Sequence, residues 1–280
     1  MSAKQPVYRY KNQLLTFETP LIMGILNVTP DSFFDGGRFN NKIQAVNQIN
    51  KMVNEGVDII DIGGMSSRPG AEIINAQQEI DRVCPAIEYI TTKHPNTLIS
   101  IDTIHAQTAK IALNNGAGIV NDISAGNINP EIIEIAAQFQ VPYILMHMQG
   151  QPNNMQNKPN YKNVVEEVAD FFIQKIALLK SKGINDIIID PGFGFGKSIT
   201  HNYQLLKNLG SFKILNLPVL AGLSRKSMIY KPLQINPNEA LNGTTALNMM
   251  ALQNGANILR VHDIKQAKQA VKLYELYNNN

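Results

Sequence analysis

The sequence has one cysteine, no tryptophan and no long apolar run. Cys84 is alone among 280 residues, so the chain can form neither an internal disulfide nor a zinc site built from several thiolates. No apolar run approaches the roughly 20 residues of a transmembrane helix, and the N-terminus lacks the apolar core of a signal peptide. We therefore predict a cytoplasmic protein without a membrane partner.

Charged residues are also few. Charged residues make up 17% of the chain and the net charge is only +3, which is too little to predict a nucleic-acid partner. The hydrophobic fraction of 44% is ordinary for a folded globular protein and excludes a disordered one. The sequence therefore favours a small-molecule partner.

Short apolar runs rich in β-branched residues alternate with helical patterns along the whole chain. The runs lie at 21–27, 57–64, 97–103, 118–123, 141–147, 185–192, 217–224 and 257–263, and the helical patterns at 42–55, 73–93, 105–115, 130–139, 162–182, 200–209, 238–254 and 264–277. Near-continuous hydrophobicity is typical of parallel strands buried on both faces. The eightfold alternation predicts an α/β fold, a (β/α)8 TIM barrel.

We predict a single domain over residues 1–280, with the barrel core at about 20–277. A doubly wound open sheet is the alternative fold. The missing G-x-G-x-x-G after the first strand favours the barrel.

Every predicted strand is followed by polar or ionisable side chains. They are Asn27, Ser66, Ser67, Arg68, Asp102, Asn121, His147, Asp190, Ser224, Arg225, Lys226, Arg260 and His262. The active site of a TIM barrel lies at this end of its strands. Asp102 and Asp190 could each accept N–H groups of a ligand or simply cap the following helix.

Arginine is scarce but concentrated near these strand ends. The chain has only Arg9, Arg38, Arg68, Arg82, Arg225 and Arg260, and the loops after strands one, two, seven and eight hold four of these. Arginine binds phosphate in bidentate fashion, and Asp102, Asp190 and Asn121 could hydrogen-bond the edge of a heterocycle. We therefore predict a planar, nitrogen-rich ligand that carries phosphate. No two histidines stand at zinc-ligand spacing.

Motifs in order along the chain resemble those of the dihydropteroate synthase family. They read GILNVTPDSFFDGG, DIGGMSSRPGAE, SIDT, VNDISAG, LMHMQGQP, DPGFGFGKSITHNY, GLSRKS and RVHD, and they span about residues 20 to 263. The family condenses 6-hydroxymethyl-7,8-dihydropterin pyrophosphate with p-aminobenzoate and releases pyrophosphate, in a dissociative reaction of folate biosynthesis. The resemblance also implies a sulfonamide target, a homodimer and Mg²⁺ bound to the pyrophosphate.

The resemblance implies a role for each matching residue. The pterin would contact Asp102, Asn121, Asp190, Lys226 and Arg260, and the p-aminobenzoate would contact Phe33, Ser67, Pro69, Phe195, Lys226 and Ser227. The pyrophosphate would contact Asn27, Arg68, Arg260 and His262, with Asn27 also a ligand of Mg²⁺. The catalytic set would be Asp31, Arg68, Asp102, Lys226, Arg260 and His262.

The first two loops carry two further expectations. From Thr29 to Gly37 we predict a mobile lid, with Asp31 ordered against Arg68. Met65 stands where the family usually has Glu, which leaves open a non-catalytic pterin-binding barrel. A methyltetrahydrofolate-type pterin-dependent methyltransferase is the other alternative, since it shares the barrel.

Overall fold

The structure, a computed structural model, describes residues 6–29, 37–65, 73–150, 155 and 159–279. Its first element is a hairpin that the sequence analysis did not predict. Strands β1 (Val7–Tyr10) and β2 (Gln13–Thr16) pair antiparallel across a turn in which Lys11 has a positive φ of 51°. Alternation of exposed and buried residues along β1 fits a strand with one solvated face.

Eight parallel strands form the barrel. They are β3 (Leu21–Asn27), β4 (Ile59–Gly63), β5 (Leu98–Asp102), β6 (Ile119–Asp122), β7 (Tyr143–Met146), β8 (Ile187–Asp190), β9 (Leu220–Ala221) and β10 (Ile258–Val261). Their order is β8-β7-β6-β5-β4-β3-β10-β9, and the bridge between Ile189 and Val219 closes the ring. The predicted TIM barrel is confirmed.

Helices surround the strands. They are α1 (Gly37–Asn54), α2 (Ala76–Lys93), α3 (Ala106–Asn114), α4 (Glu131–Phe139), α5 (Val164–Ser181), α6 (Ile199–Lys207), α7 (Ser227–Leu233), α8 (Leu241–Gln253) and α9 (Ile264–Asn279). Short 3₁₀ helices span Leu209–Leu215 and Pro237–Glu239. Helix α7 is additional to the usual one helix per strand. Within the described part of the chain, no helix is long and apolar enough to cross a membrane.

The hairpin closes the end of the barrel where the strands begin. Tyr8 and Tyr10 pack in one buried cluster with barrel residues such as Met23 and Ile119. The Tyr8 hydroxyl donates to the Ile187 carbonyl at 2.6 Å, and the Tyr10 hydroxyl accepts from the Ile99 N–H at 2.8 Å. The opposite end is therefore the one left for a ligand.

Candidate active site

Alternate strands of the barrel direct one layer of apolar and one layer of polar side chains into its interior. In β4, β6, β8 and β10 the lower layer holds Ile59, Ile119, Ile188 and Ile258, which belong to the cluster that the hairpin covers. Since every second residue of a strand faces the same side, the next layer holds Asp61, Asn121, Asp190 and Arg260. We call these four residues the polar layer.

Arg260 is the centre of the polar layer. Its Nε lies 2.7 Å from Asp61 Oδ2, and its Nη2 lies 2.6 Å from Asp102 Oδ2 at the end of β5. Asn121 Nδ2 donates to the same Asp61 oxygen at 3.0 Å. The structure therefore joins Arg260 to Asp102 directly and to Asn121 through Asp61, a residue that the sequence analysis missed.

Burial and charge shape the ionisation of these groups. Burial raises the pKa of Asp102 to about 7, against the opposing effect of the Arg260 guanidinium. For Arg260, burial lowers the pKa, but Asp61 and Asp102 outweigh it, so its pKa lies above the usual value. Burial thus opposes the ionised form of Asp102, and the contact with Arg260 favours it.

Asp190 and Lys226 form the next part of the site. Burial raises the pKa of Asp190 against the effect of Lys226, and its Oδ1 accepts from the Gly192 N–H at 2.7 Å. Lys226 Nζ donates to the Phe193 carbonyl and lies 4.8 Å from the centre of the Phe195 ring. Burial lowers the pKa of Lys226 to about 8. One wall of the site is therefore aromatic with a cation above it.

Ser224 orients His262. The Ser224 Oγ lies 2.9 Å from His262 Nδ1 and accepts from the His262 backbone N–H at 3.3 Å. Because the hydroxyl has one proton to donate, the pair is satisfied when Nδ1 accepts and Nε2 carries the ring proton. Burial and Arg260 lower the pKa of His262 to about 4, so the ring is neutral at pH 7.

Arg225 does not serve the site as the arginine pattern predicted. Its guanidinium binds both carboxylate oxygens of Asp263, at 3.0 and 2.8 Å, and donates to the carbonyls of Pro237 and Asn238. Its backbone has a positive φ of 55°. Arg225 therefore ties the loop after β9 to the loop after β10, and Ser227 follows as the first residue of α7.

Lys197 joins the loops that follow β7 and β8. It is 3% exposed, and its Nζ lies within 3.2 Å of His147 Nδ1 and of the carbonyls of His147, Gly192 and Phe195. Burial lowers the pKa of Lys197 to about 7 and that of His147 to about 2. These contacts hold the Phe195 backbone. In the sequence, Lys197 is the last residue of the motif DPGFGFGK.

Asn27 ends β3 at the rim, opposite Gly63. A methyl group at Gly63 would lie 3.5 Å from Asn27 Oδ1 and 3.7 Å from Asp102 Oδ2, so the two side chains flank one point. Among the described residues, no group of three or more His, Cys, Asp or Glu could hold a metal ion.

Several predicted site residues lie outside the described residues. They are Asp31, Phe33, Ser67, Arg68 and Pro69, together with the predicted lid from residue 30 to residue 36. Met65 is described: it is partly buried against an apolar cluster that includes Ile104, Met146 and Phe195. Met65, where the resemblance leads us to expect Glu, therefore packs with apolar side chains.

Comparison with known proteins gives one consistent result. The family model described as "Pterin binding enzyme" matches residues 23–262. The chain is 45% identical to the dihydropteroate synthase of Escherichia coli K12, over 93% of each chain, and 44% identical to that of Haemophilus influenzae, over 96% of this chain and 98% of the relative.

Solved structures agree. The Yersinia pestis dihydropteroate synthase with a sulfonamide drug complex has a TM-score of 0.93 at 40% identity and covers 98% of this chain and all of its own. The Xanthomonas albilineans dihydropteroate synthase with 4-aminobenzoic acid has a TM-score of 0.92 at 38% identity, over 99% of this chain and all of that one.

Proposed function

This chain belongs to the dihydropteroate synthase family of pterin-binding enzymes, and on that premise we propose how its residues act. The reaction is the condensation of 6-hydroxymethyl-7,8-dihydropterin pyrophosphate with p-aminobenzoate to give 7,8-dihydropteroate and pyrophosphate. The observation that carries the proposal is the polar layer beside the wall formed by Phe195 and Lys226. Such a site suits a flat heterocycle rich in N–H groups, and its aromatic wall suits an aromatic amine.

The pterin is proposed to bind in the polar layer. Asp190 and Asp102 would accept its N–H groups, and Asn121 and Lys226 would contact the rest of its polar edge. Arg260 would lie against the ring and reach the pyrophosphate, because it extends from the polar layer towards Asp102 at the rim. Carboxylates and amides in a dry site discriminate strongly between correct and incorrect hydrogen-bond patterns.

Departure of pyrophosphate is proposed to leave a cation on the pterin methylene carbon. Arg260 would stabilise the negative charge on the leaving oxygen, and His262 would donate a hydrogen bond from Nε2, which carries the ring proton when the Ser224 hydroxyl donates to Nδ1. Asp102, when ionised, would stabilise the cation. The amine nitrogen of p-aminobenzoate is neutral at pH 7, so it would attack the cation without a strong base, and the ammonium formed by the new C–N bond would lose its proton to water or to the departing pyrophosphate.

The second substrate is proposed to lie between Phe195, Lys226 and the start of α7 at Ser227. Its carboxylate would approach the backbone N–H groups there, where a negative charge is favourable. Phe33, Ser67 and Pro69 would complete this pocket from the first two loops, and Asp31 and Arg68 would act with them as predicted.

Mg²⁺ is the proposed cofactor. The residues fit a metal that the pyrophosphate brings: Asn27 offers a neutral oxygen at the rim, while the described residues hold no cluster that would bind the ion alone. Bound there, Mg²⁺ would neutralise charge on the departing pyrophosphate. Asn27 would orient the leaving group through this contact.

A homodimer and a single-domain organisation remain predictions. Met250, Leu273 and Leu276 are exposed apolar residues on α8 and α9, which pack against each other, and a second copy would cover them. Sedimentation of the purified protein would test the first, and expression of residues 20–277 alone would test the second.

The decisive assay is formation of dihydropteroate from both substrates with Mg²⁺. Product formation supports the synthase. Tight pterin binding without product would support a non-catalytic barrel, and methyl transfer to a corrinoid protein would support the methyltransferase. If Arg260 serves the pyrophosphate, Arg260→Ala should lose turnover far more than affinity for the pterin without pyrophosphate, and equal losses would contradict that role.

A further inference from the structure

We propose that Asp61 is a positioning residue that holds Arg260 and Asn121 in their working orientations while the ligand hydrogen-bonds to the Asp102 carboxylate. The inference rests on the proposed function, because it concerns the same site. Asp61 touches neither substrate in this proposal and acts through its two neighbours.

The position of Asp61 in the barrel is the first argument. It extends from β4, whereas its partners come from β6 and β10, so its contacts cross the interior rather than follow neighbouring strands. The residue two positions earlier, Ile59, lies in the apolar layer. A carboxylate that is 0% exposed is costly to bury, and an apolar residue here would continue the core at lower cost.

Arg260 has two carboxylate partners at different depths in the barrel. Arg260 gives Nε to Asp61 and Nη2 to Asp102. A ligand that hydrogen-bonds to Asp102 competes with the guanidinium for that carboxylate. Asp61 lies deeper, with no exposed surface, and keeps its contact with Nε. Arg260 would therefore stay anchored when Asp102 changes partner, and only its outer end would move.

The orientation of Asn121 is the third argument. A carboxylate paired with Arg260 accepts hydrogen bonds and donates none, so the Asn121 amide nitrogen must face Asp61. The amide oxygen is thereby directed elsewhere, where it can accept from a ligand. Asp61 would thus set which polar pattern Asn121 presents. Its second oxygen, Oδ1, is buried and has no hydrogen-bond partner among the described residues, so Oδ2 alone accepts from both Asn121 and Arg260.

The first test observes Arg260 directly and needs no turnover. The chain has six arginines, so the ¹⁵N spectrum of arginine Nε–H groups is simple, and the Arg260→Lys variant identifies its signal. We expect a slowly exchanging Arg260 Nε–H signal both without ligand and with 6-hydroxymethyl-7,8-dihydropterin. Asp61→Asn should remove or shift it. Loss of this signal from the unaltered protein when the pterin binds would overturn the proposal.

The second test compares variants in the synthase assay. Asp61→Asn keeps the shape of the side chain and should lower kcat by about 30-fold or more. The KM for p-aminobenzoate should change less than about threefold, because Phe195 and Lys226 are unaltered. The matched control is Ser100→Ala: Ser100 pairs with Asp61 in register, is fully buried, and its hydroxyl has no hydrogen-bond partner in the described part of the chain. We expect that control to retain kcat within about twofold.

The double variant separates positioning from an independent role. If Asp61 acts through Arg260, Asp61→Asn should reduce kcat much less in the Arg260→Ala background than in the unaltered enzyme. A full additional 30-fold loss there, or unchanged kcat in Asp61→Asn alone, would refute it. If Asp61→Asn does not fold, the spectrum of the unaltered protein still decides. A protein that makes no dihydropteroate would refute the proposed function, while the spectral test of Asp61 would still give its own answer.

Discussion

Replacing Lys197 by Met is the sharpest test of how the two loops beside the ligand are held. The ammonium lies 3.0 Å from the carbonyl oxygens of Gly192 and Phe195, 3.2 Å from that of His147 and 2.9 Å from His147 Nδ1. Methionine has a similar length but donates no hydrogen bond. Three carbonyls and one ring nitrogen would lose the same donor.

Two opposing effects set the expected change in the free energy of unfolding. Each buried acceptor that loses its donor costs roughly 1–2 kcal/mol, while removal of a buried ammonium recovers part of its desolvation cost. That cost is visible in the pKa of Lys197, which burial lowers to about 7. The free energy of unfolding should therefore fall by about 2–4 kcal/mol. The KM for p-aminobenzoate should rise more than that for the pterin substrate, because the Phe195 backbone loses its anchor.

Urea unfolding at pH 7 and steady-state kinetics measure both effects. The matched control is Lys207→Met, the same substitution at an exposed position in α6, which should leave the free energy of unfolding within about 0.5 kcal/mol. If Lys197→Met were as stable as this control, with an unchanged KM for p-aminobenzoate, the four contacts would not hold the loops as we reason.

Three further predictions concern stability. In urea unfolding, Gly192→Ala should lower the free energy of unfolding by about 2 kcal/mol or more, since φ is +69° and the new Cβ would lie near the His147 carbonyl. Gly183→Ala, at φ +87° with no described atom within 4 Å of the new Cβ, should lower it by only about 1 kcal/mol. Tyr10→Phe should lower the free energy of unfolding by about 1–2 kcal/mol, because the Ile99 N–H loses its acceptor, yet leave kcat unchanged. As pH falls below about 6.5, His147 gains a proton in the unfolded chain, whereas its lowered pKa keeps it neutral in the folded protein. The free energy of unfolding should therefore fall as pH falls. Urea unfolding across pH should show, for His147→Gln, a dependence of this free energy on pH that is smaller by up to about 1.4 kcal/mol per pH unit below pH 6. Above pH 7.5 the variant and the unaltered protein should show the same dependence.

The barrel could be predicted from sequence because its signal is local and repeated. Each buried strand needs a continuous apolar run, and each run is followed by a helix with apolar residues on one face. The hairpin carried a local signal too, since Tyr8 and Tyr10 alternate with exposed Val7 and Arg9, but it stands outside the eightfold pattern. Helix α7 has only seven residues, which is too short to show a helical period.

The strand ends predicted many site residues, yet not the contacts among them. Asp61 was missed because it lies within the apolar run of β4 rather than after it. Counting two residues on from Ile59 would have placed it in the interior beside Asn121. The pairing of Arg225 with Asp263 depends on two loops that are neighbours only in the closed barrel, so no pattern of spacing along the chain could reveal it.

The charges of the site partly offset one another before any ligand binds. The three acids Asp61, Asp102 and Asp190 face the two bases Arg260 and Lys226 within one buried region, so a neutral pterin ring replaces hydrogen bonds there without adding charge. The pyrophosphate adds several negative charges at the more exposed rim. Interactions between exposed charges are screened by salt, whereas buried ones are screened much less.

Calorimetric titration at about 0.05 M and about 0.5 M KCl should therefore separate the two parts of the substrate. Affinity for 6-hydroxymethyl-7,8-dihydropterin should change less than about twofold, while affinity for its pyrophosphate should fall about tenfold. Equal salt dependence of the two ligands would mean that the buried charges do not offset one another as the contacts of Arg260 indicate. In that case Asp61 and Asp102 would neutralise Arg260 less completely than their distances imply.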